Sequence, residues 1–194
     1  MKISIRGVWN AKSVLFIVAC LLVVHLYLFF PKNNTPLYAQ EISMDIFVRF
    51  DAVLGSSTDK EHLGWIEATG VGFSLTRPDA ARIIFDAVTI VKEIDISSPI
   101  LTLACIQRKH FKAATIHFVE NSGGVRRVFY EIVMNDVTLD SVSVDTNSFE
   151  VSLKEAYKLN ASRVMWTVTP VKPDGSPGAE VMRCWDFVRN TRCY

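Results

Sequence analysis

From position 45 onward, apolar and polar residues alternate with a period of two. In 45–51, Ile46, Val48 and Phe50 fall on one side while Asp45, Phe47, Arg49 and Asp51 fall on the other, the alternation of a strand buried on one face. Residues 127–134 repeat it, with Val128, Tyr130, Ile132 and Met134 against Arg127, Phe129 and Glu131. Phe149, Val151 and Leu153 alternate with Ser148, Glu150 and Ser152, and Val164, Trp166 and Val168 alternate with Arg163, Met165 and Thr167. The same reasoning predicts strands at 64–68, 70–76, 83–91, 114–119 and 138–144. Turn signals separate them: Leu54-Gly55-Ser56-Ser57, Asn121-Ser122-Gly123-Gly124 and Pro173-Asp174-Gly175-Ser176-Pro177-Gly178. This pattern predicts a mainly β domain of antiparallel strands, closed or nearly closed.

One stretch breaks the period. Ser98 is placed to cap a helix with Pro99 at its first position, and Ile100, Leu101, Leu103, Ala104 and Ile106 follow as a short helix ending near Arg108. Ala104 and Cys105 are small enough to let it lie close against a sheet. Residues 153–160 fit a helix as well as the end of the preceding strand, and a strand followed by a turn is the expected outcome.

Composition sets the class. The chain has 194 residues, 49% of them hydrophobic and 21% charged, which suits one domain with its own core and excludes disordered, collagenous and cysteine-stapled chains. The net charge of +1 conceals a division. Residues 1–40 carry Lys2, Arg6, Lys12 and Lys32 and no acid, which makes them +4 and leaves the remainder at −3. A mildly acidic domain argues against general nucleic-acid binding.

Residues 14–30 form an apolar run interrupted in polarity only by His25 and Tyr27. A helix of this length rises roughly 25 Å, the lower limit for crossing a hydrocarbon core. Two readings stand side by side. Leu37-Tyr38-Ala39 allows an export signal cut after Ala39, or the hydrophobic helix stays as a single membrane anchor with its basic end in the cytoplasm. The polar segment 32–43 reads as a linker, so the expected division is 1–40 for signal or anchor and 44–194 for the folded domain.

The β segments carry a resemblance in five ordered blocks. Asp45-Ile46-Phe47-Val48-Arg49-Phe50-Asp51 with Gly55-Ser56-Ser57-Thr58-Asp59-Lys60-Glu61-His62-Leu63-Gly64-Trp65-Ile66 resembles the opening of Hcp, the haemolysin-coregulated tube protein family of type VI secretion. Thr89, then Val91-Lys92-Glu93-Ile94-Asp95 leading into Ser98-Pro99, and Gln107-Arg108-Lys109-His110 resemble that family's helix entry and exit. Met134-Asn135-Asp136-Val137 with Ser141-Val142-Ser143, Trp166-Thr167-Val168-Thr169-Pro170 with the glycine-proline turn, and Trp185-Asp186-Phe187 complete the match. The resemblance implies a small antiparallel β-barrel of two sheets with one short flanking helix. It also implies a homo-oligomer, a six-membered ring whose rings stack into a secreted tube and whose lumen holds effectors, with sheath and spike proteins as partners. Family subunits start near the equivalent of Met44, so the first 40 residues depart from the pattern. They imply either an exported or membrane-anchored Hcp-like binding domain, in contact with the membrane through 14–30, or a true start at Met44 and a cytoplasmic stage before secretion.

Two features are candidate subunit contacts. The second face of the strands carries Phe47, Phe129 and Val119 beside charges, which suits a contact as well as scattered surface apolars. The loop 55–64, with Thr58, Asp59, Lys60, Glu61 and His62, is the other; the resemblance gives it a role in ring-on-ring contact, and a solvated loop is the alternative. Signals for chemistry are poor. Gly-x-Ser-x-Gly, His-Glu-x-x-His, a phosphate loop and Cys-x-x-Cys are missing from the sequence, so no catalytic role and no cofactor is expected. Asp59, Glu61 and His62 lack a second ligand group and read as a charge run rather than a metal site. His110 and His117 read as structural, and Cys105 as a buried small residue on the helix. Cys184 and Cys193 can close a disulfide in an oxidising compartment and stay thiols otherwise.

Overall fold

The computed structural model describes residues 43–79, 83–122, 125–146, 153–172 and 175–193, which belong to a compact unit spanning Gln40–Tyr194. The apolar segment 14–30, residues Phe149 and Val151 and the turn tips at 123–124 and 173–174 lie outside the described residues.

The elements run β1 (Ser43–Phe50), β2 (Ile66–Ala68), β3 (Gly70–Thr76), β4 (Ile84–Glu93), α1 (Ser98–Ile106), β5 (Phe111–Ser122), β6 (Val125–Thr146), β7 (Leu153–Val168), β8 (Val181–Asp186) and β9 (Thr191–Arg192). All strand pairs are antiparallel. They form one nine-stranded sheet in the order β2-β1-β5-β6-β7-β4-β3, with β8 on β7 and β9 on β8. The expectation of a closed barrel of two sheets is corrected on both counts: the sheet is single and its hydrogen-bonded path is open. The ends of the path, β2 and β3, are nevertheless successive pieces of chain, separated only by Thr69. That residue leans on β4, its amide donating to the Val91 carbonyl at 2.8 Å. The sheet is thus rolled by one stretch of chain, 66–76, that serves β1 through β2 and β4 through β3.

Two long strands carry the roll. β6 pairs with β5 along its first half and with β7 along most of its length, and it bends where Asp136 takes a φ of 52° and the register slips between Leu139 and Ser141. β7 is unbroken from Leu153 to Val168, with Glu155, Tyr157, Leu159, Ala161 and Val164 turned inward. The turn expected after Leu153 is therefore absent, and the two short strands read at 148–153 and 164–168 belong in their described parts to one strand.

The core gathers Val48, Phe50, Ile66, Ile90, Phe111, Ile116, Ile132, Met134, Tyr157, Leu159 and Val164. α1 contributes Leu101 and Ala104, and burying a leucine side chain is worth about 1.5–3 kcal/mol. The helix starts with Ser97 as its cap rather than Ser98, and Ser97 makes no side-chain capping bond. The Ser98 hydroxyl is engaged elsewhere, accepting from the Asp95 amide at 2.9 Å and from Lys92 Nζ at 3.0 Å and donating to Glu155 at 2.6 Å. Cys105 is half-buried, not enclosed.

Candidate functional site

The loop 55–64 is tied to itself before it is tied to the sheet. The Gly55 amide donates to the Gly64 carbonyl at 2.8 Å and the Gly64 amide to the Ser57 carbonyl at 2.9 Å. Both glycines are required where they stand. A Cβ on Gly55 would lie 2.2 Å from the Trp65 carbonyl oxygen, and Gly64 has a φ of 73°. Asp59 closes the turn, its Oδ1 accepting from the amides of Glu61 and His62 at 3.1 and 2.9 Å and from His62 Nδ1 at 2.8 Å.

His62 anchors the loop to the sheet. Its ring stacks on Phe47 of β1 at 4.2 Å between centroids, meets Trp65 edge-on at 4.9 Å, and brings Nε2 to 2.9 Å from Nδ1 of His117 on β5. His117 Nε2 in turn lies 3.1 Å from Glu131 Oε1 on β6, its cross-strand partner. Asp59, His62, His117 and Glu131 thereby form one unbroken chain of polar contacts from three separate elements. Arg126 of β6 closes the other side: its guanidinium reaches Asp59 Oδ2 at 2.8 Å and Asp45 at 3.4 Å while lying over the Phe47 ring. Arg49 covers Trp65 in the same manner.

The electrostatics follow from these contacts. Burial pushes the Asp59 carboxyl up, but the bonds from His62, the Glu61 and His62 amides and Arg126 outweigh it and hold it below the usual carboxylate range. Burial draws the His117 imidazole down; Glu131 opposes this, and His62 and Arg49 add to it, so the ring ionises below the usual 6.5.

The candidate contact residues consequently divide. Phe47 and His62 are 3% and 2% exposed on the single chain and pack on each other. The periodicity gave Phe47 an outward face because the residue that covers it comes from a loop. Lys60 and Glu61 are exposed, Asp59 is turned into its own loop, and Phe129 is half-buried beside Phe118. His110, read as structural, is exposed and meets Asp136 at 2.8 Å. The Cα atoms of Cys184 and Cys193 stand 5.2 Å apart, with the side chains facing each other in disulfide geometry.

Two features escape a sequence reading. One is a cleft of about 860 Å³ between the loop and the end of β4, lined by Asp45, Phe47, Asp59, Glu67, Glu93 and Arg126. The other is an enclosed network at the foot of α1. Lys92 Nζ meets Glu155, Asp95 at 2.8 Å and the Glu93 carbonyl at 2.8 Å. Burial raises the Asp95 carboxyl, and the bonds from Lys92 and Ser97 overcome it and leave it depressed. An alternation of charged and apolar residues hides both, because nothing local marks a lysine or glutamate as buried.

The described residues form a rolled antiparallel sheet with one short helix, and many of its charged groups, among them Asp59, Arg126, Lys92 and Glu155, are engaged in internal bonds. Among the described residues no group of histidine, cysteine and carboxylate side chains is arranged to hold a metal ion. The model of a family described as "Type VI secretion system effector, Hcp" matches residues 47–168, and the chain belongs to this family. Protein hcp1 of Pseudomonas aeruginosa is 27% identical over 162 residues, covering 78% of this chain and 99% of that protein. A solved type six secretion system protein superposes with a TM-score of 0.70 at 20% identity, covering 78% of this chain and all of the other. Hcp1 from Salmonella typhimurium superposes with a TM-score of 0.67 at 22% identity, covering 78% and 99%.

Proposed function

We propose that this chain is a non-enzymatic structural and carrier subunit of type VI secretion, six copies closing into a ring, rings stacking into the secreted tube, and effectors held in the lumen. Family membership supports the secretion role. The observation that carries the assembly is apolar surface left uncovered on the single chain. Ile100, Leu103 and Ile106, three residues apart on the outer side of α1, are all exposed, and so are Ile94 and Ile96 just before the helix. A ring closed by rotation covers such a patch with a different patch of the next copy. Phe129 is assigned to the contact between subunits, and Lys60 and Glu61, backed by Asp59, to the contact between rings. Sheath, spike and effector proteins are the partners of this role. Sedimentation velocity over a concentration series tests it. A species of about six chains supports the reading, and a monomer at every concentration contradicts it.

The first 40 residues carry the alternative, an exported or membrane-anchored domain of the same family acting outside the cytoplasm. Among the described residues no helix is long and apolar enough to cross a membrane, and the run 14–30 is outside them. Mass spectrometry of the native protein separates the readings: a chain beginning at Met1 or near Gln40 supports export, and one beginning at Met44 contradicts it. The Cys184–Cys193 disulfide belongs to either reading once the protein reaches an oxidising compartment.

A further inference from the structure

The contact between two histidine rings poses a problem of proton counting. We propose that the His62–His117 pair is an acid latch that holds the loop 55–64 against β5 and opens when both rings become protonated.

The argument starts at Asp59. Its carboxylate lies 2.8 Å from His62 Nδ1 and accepts nothing but a donor, so that nitrogen carries a hydrogen. In the neutral ring, His62 Nε2 is then a bare lone pair, and His117 Nδ1 at 2.9 Å must donate to it. This leaves His117 Nε2 as the site for the next proton, where it faces Glu131 at 3.1 Å and gains a bond. Two or three protons on the four ring nitrogens are therefore compatible with a closed latch. A fourth has one place to go, His62 Nε2, where it meets the hydrogen of His117 Nδ1 head-on. Two cationic rings then share a site that admits little solvent, with His62 only 2% exposed.

Every charged group around the pair fits this order of events. Asp59 on the loop keeps its charge because Arg126 of β6 and the loop amides stabilise it, so the His62 Nδ1 hydrogen is held throughout. Arg49 of β1, over Trp65, and the first imidazolium itself both oppose the second proton. Glu131 of β6 receives the first proton's bond, Glu180 shares with His117 the lining of a separate small surface pocket, and Asp45 of β1 is engaged with Arg126. Once the rings part, the His62 ring loses its bond to β5, and the centre of the loop is held by the stack on Phe47 and the Asp59–Arg126 pair, while Ser56 and Ser57 keep its start tied to Asp95 and Glu67.

The experiment is hydrogen exchange of the full chain read by mass spectrometry, corrected for the pH dependence of intrinsic exchange, at neutral and acid pH. Amides of 55–65 are expected to lose protection about tenfold on acidification while peptides of β6 and β7 remain protected. His117→Asn is the comparison. Its amide donates to neutral His62, flips to accept from protonated His62, and so keeps the loop closed at both pH values. Loss of protection in the variant equal to that of the parent, or no loss in the parent, overturns the proposal. A second measurement needs no variant: exchange at the imidazole C2 position follows each histidine's titration in the unaltered protein. Coupled titration of His62 and His117, in two separated steps, supports the latch, and independent titration of each at about the ordinary 6.5 overturns it.

Discussion

Lys92 on β4 and Glu155 on β7 face each other across one rung of the sheet, ammonium against carboxylate, with 1% and 3% of their side chains exposed. Ser98 at the start of α1 binds both, so this pair fixes the helix to two central strands. Removing one partner leaves the other charged and buried, among the described residues Glu155 with no cation against it and Lys92 with only Asp95 to meet its charge. Lys92→Met or Glu155→Leu alone is expected to cost about 3–5 kcal/mol, and the double substitution less than either single one. Urea denaturation measures all three. Single variants within about 1 kcal/mol of the parent contradict the account.

Gly55 and Gly72 make a matched pair for testing the loop. An added methyl group at Gly55 strikes the Trp65 backbone, whereas at Gly72 it meets nothing within 4 Å. Gly55→Ala is expected to destabilise by about 1–3 kcal/mol, and Gly72→Ala to be neutral or stabilising by up to about 1 kcal/mol. Thermal melting of the two variants checks the contrast, and equal effects contradict the close approach.

If Cys184 and Cys193 pair, the oxidised chain denatured in the absence of reductant presents only Cys20 and Cys105 to a thiol reagent. After reduction all four react. Closing so short a loop is expected to contribute about 2–3 kcal/mol, lost in Cys184→Ser. Four reactive thiols before reduction contradict the pairing.

Acid stability follows from Asp59 and Asp95, both held below their usual 3.8. A depressed carboxylate contributes stability that is fully present above its unfolded value and is lost as pH falls through the folded value. The depressed His117 adds a loss beginning earlier, as pH falls below its unfolded value of about 6.5. Stability is therefore expected to be flat above about pH 7, to decline gently below it and steeply below about pH 4. Asp95→Asn flattens the steep limb, read by denaturation midpoints across pH. An unchanged limb contradicts the assignment.

Much of the fold is legible in the alternation of residues. β3 spans 70–76 as read, and β1 and β4 fall within two residues of their expected bounds. The errors have local causes. The bulge between Leu139 and Ser141 shifts the period within β6, so one strand reads as two. In β7 the inward position is held by Glu155, whose charge interrupts an otherwise regular apolar row. His62 sits in the run Asp59-Lys60-Glu61-His62, which looks solvated; its burial depends on Phe47 and on His117, 55 residues away. Nothing local signals such a contact, since a histidine beside a carboxylate looks the same in an open loop.

The central claim is the ring. Electron microscopy of the purified full chain, with parallel images of Phe129→Asp, tests it most directly. End-on views with six-fold symmetry in the parent, weakened in the variant, are the predicted result. Isolated single subunits in the parent, at concentrations where the exposed face of α1 would be covered, would contradict it.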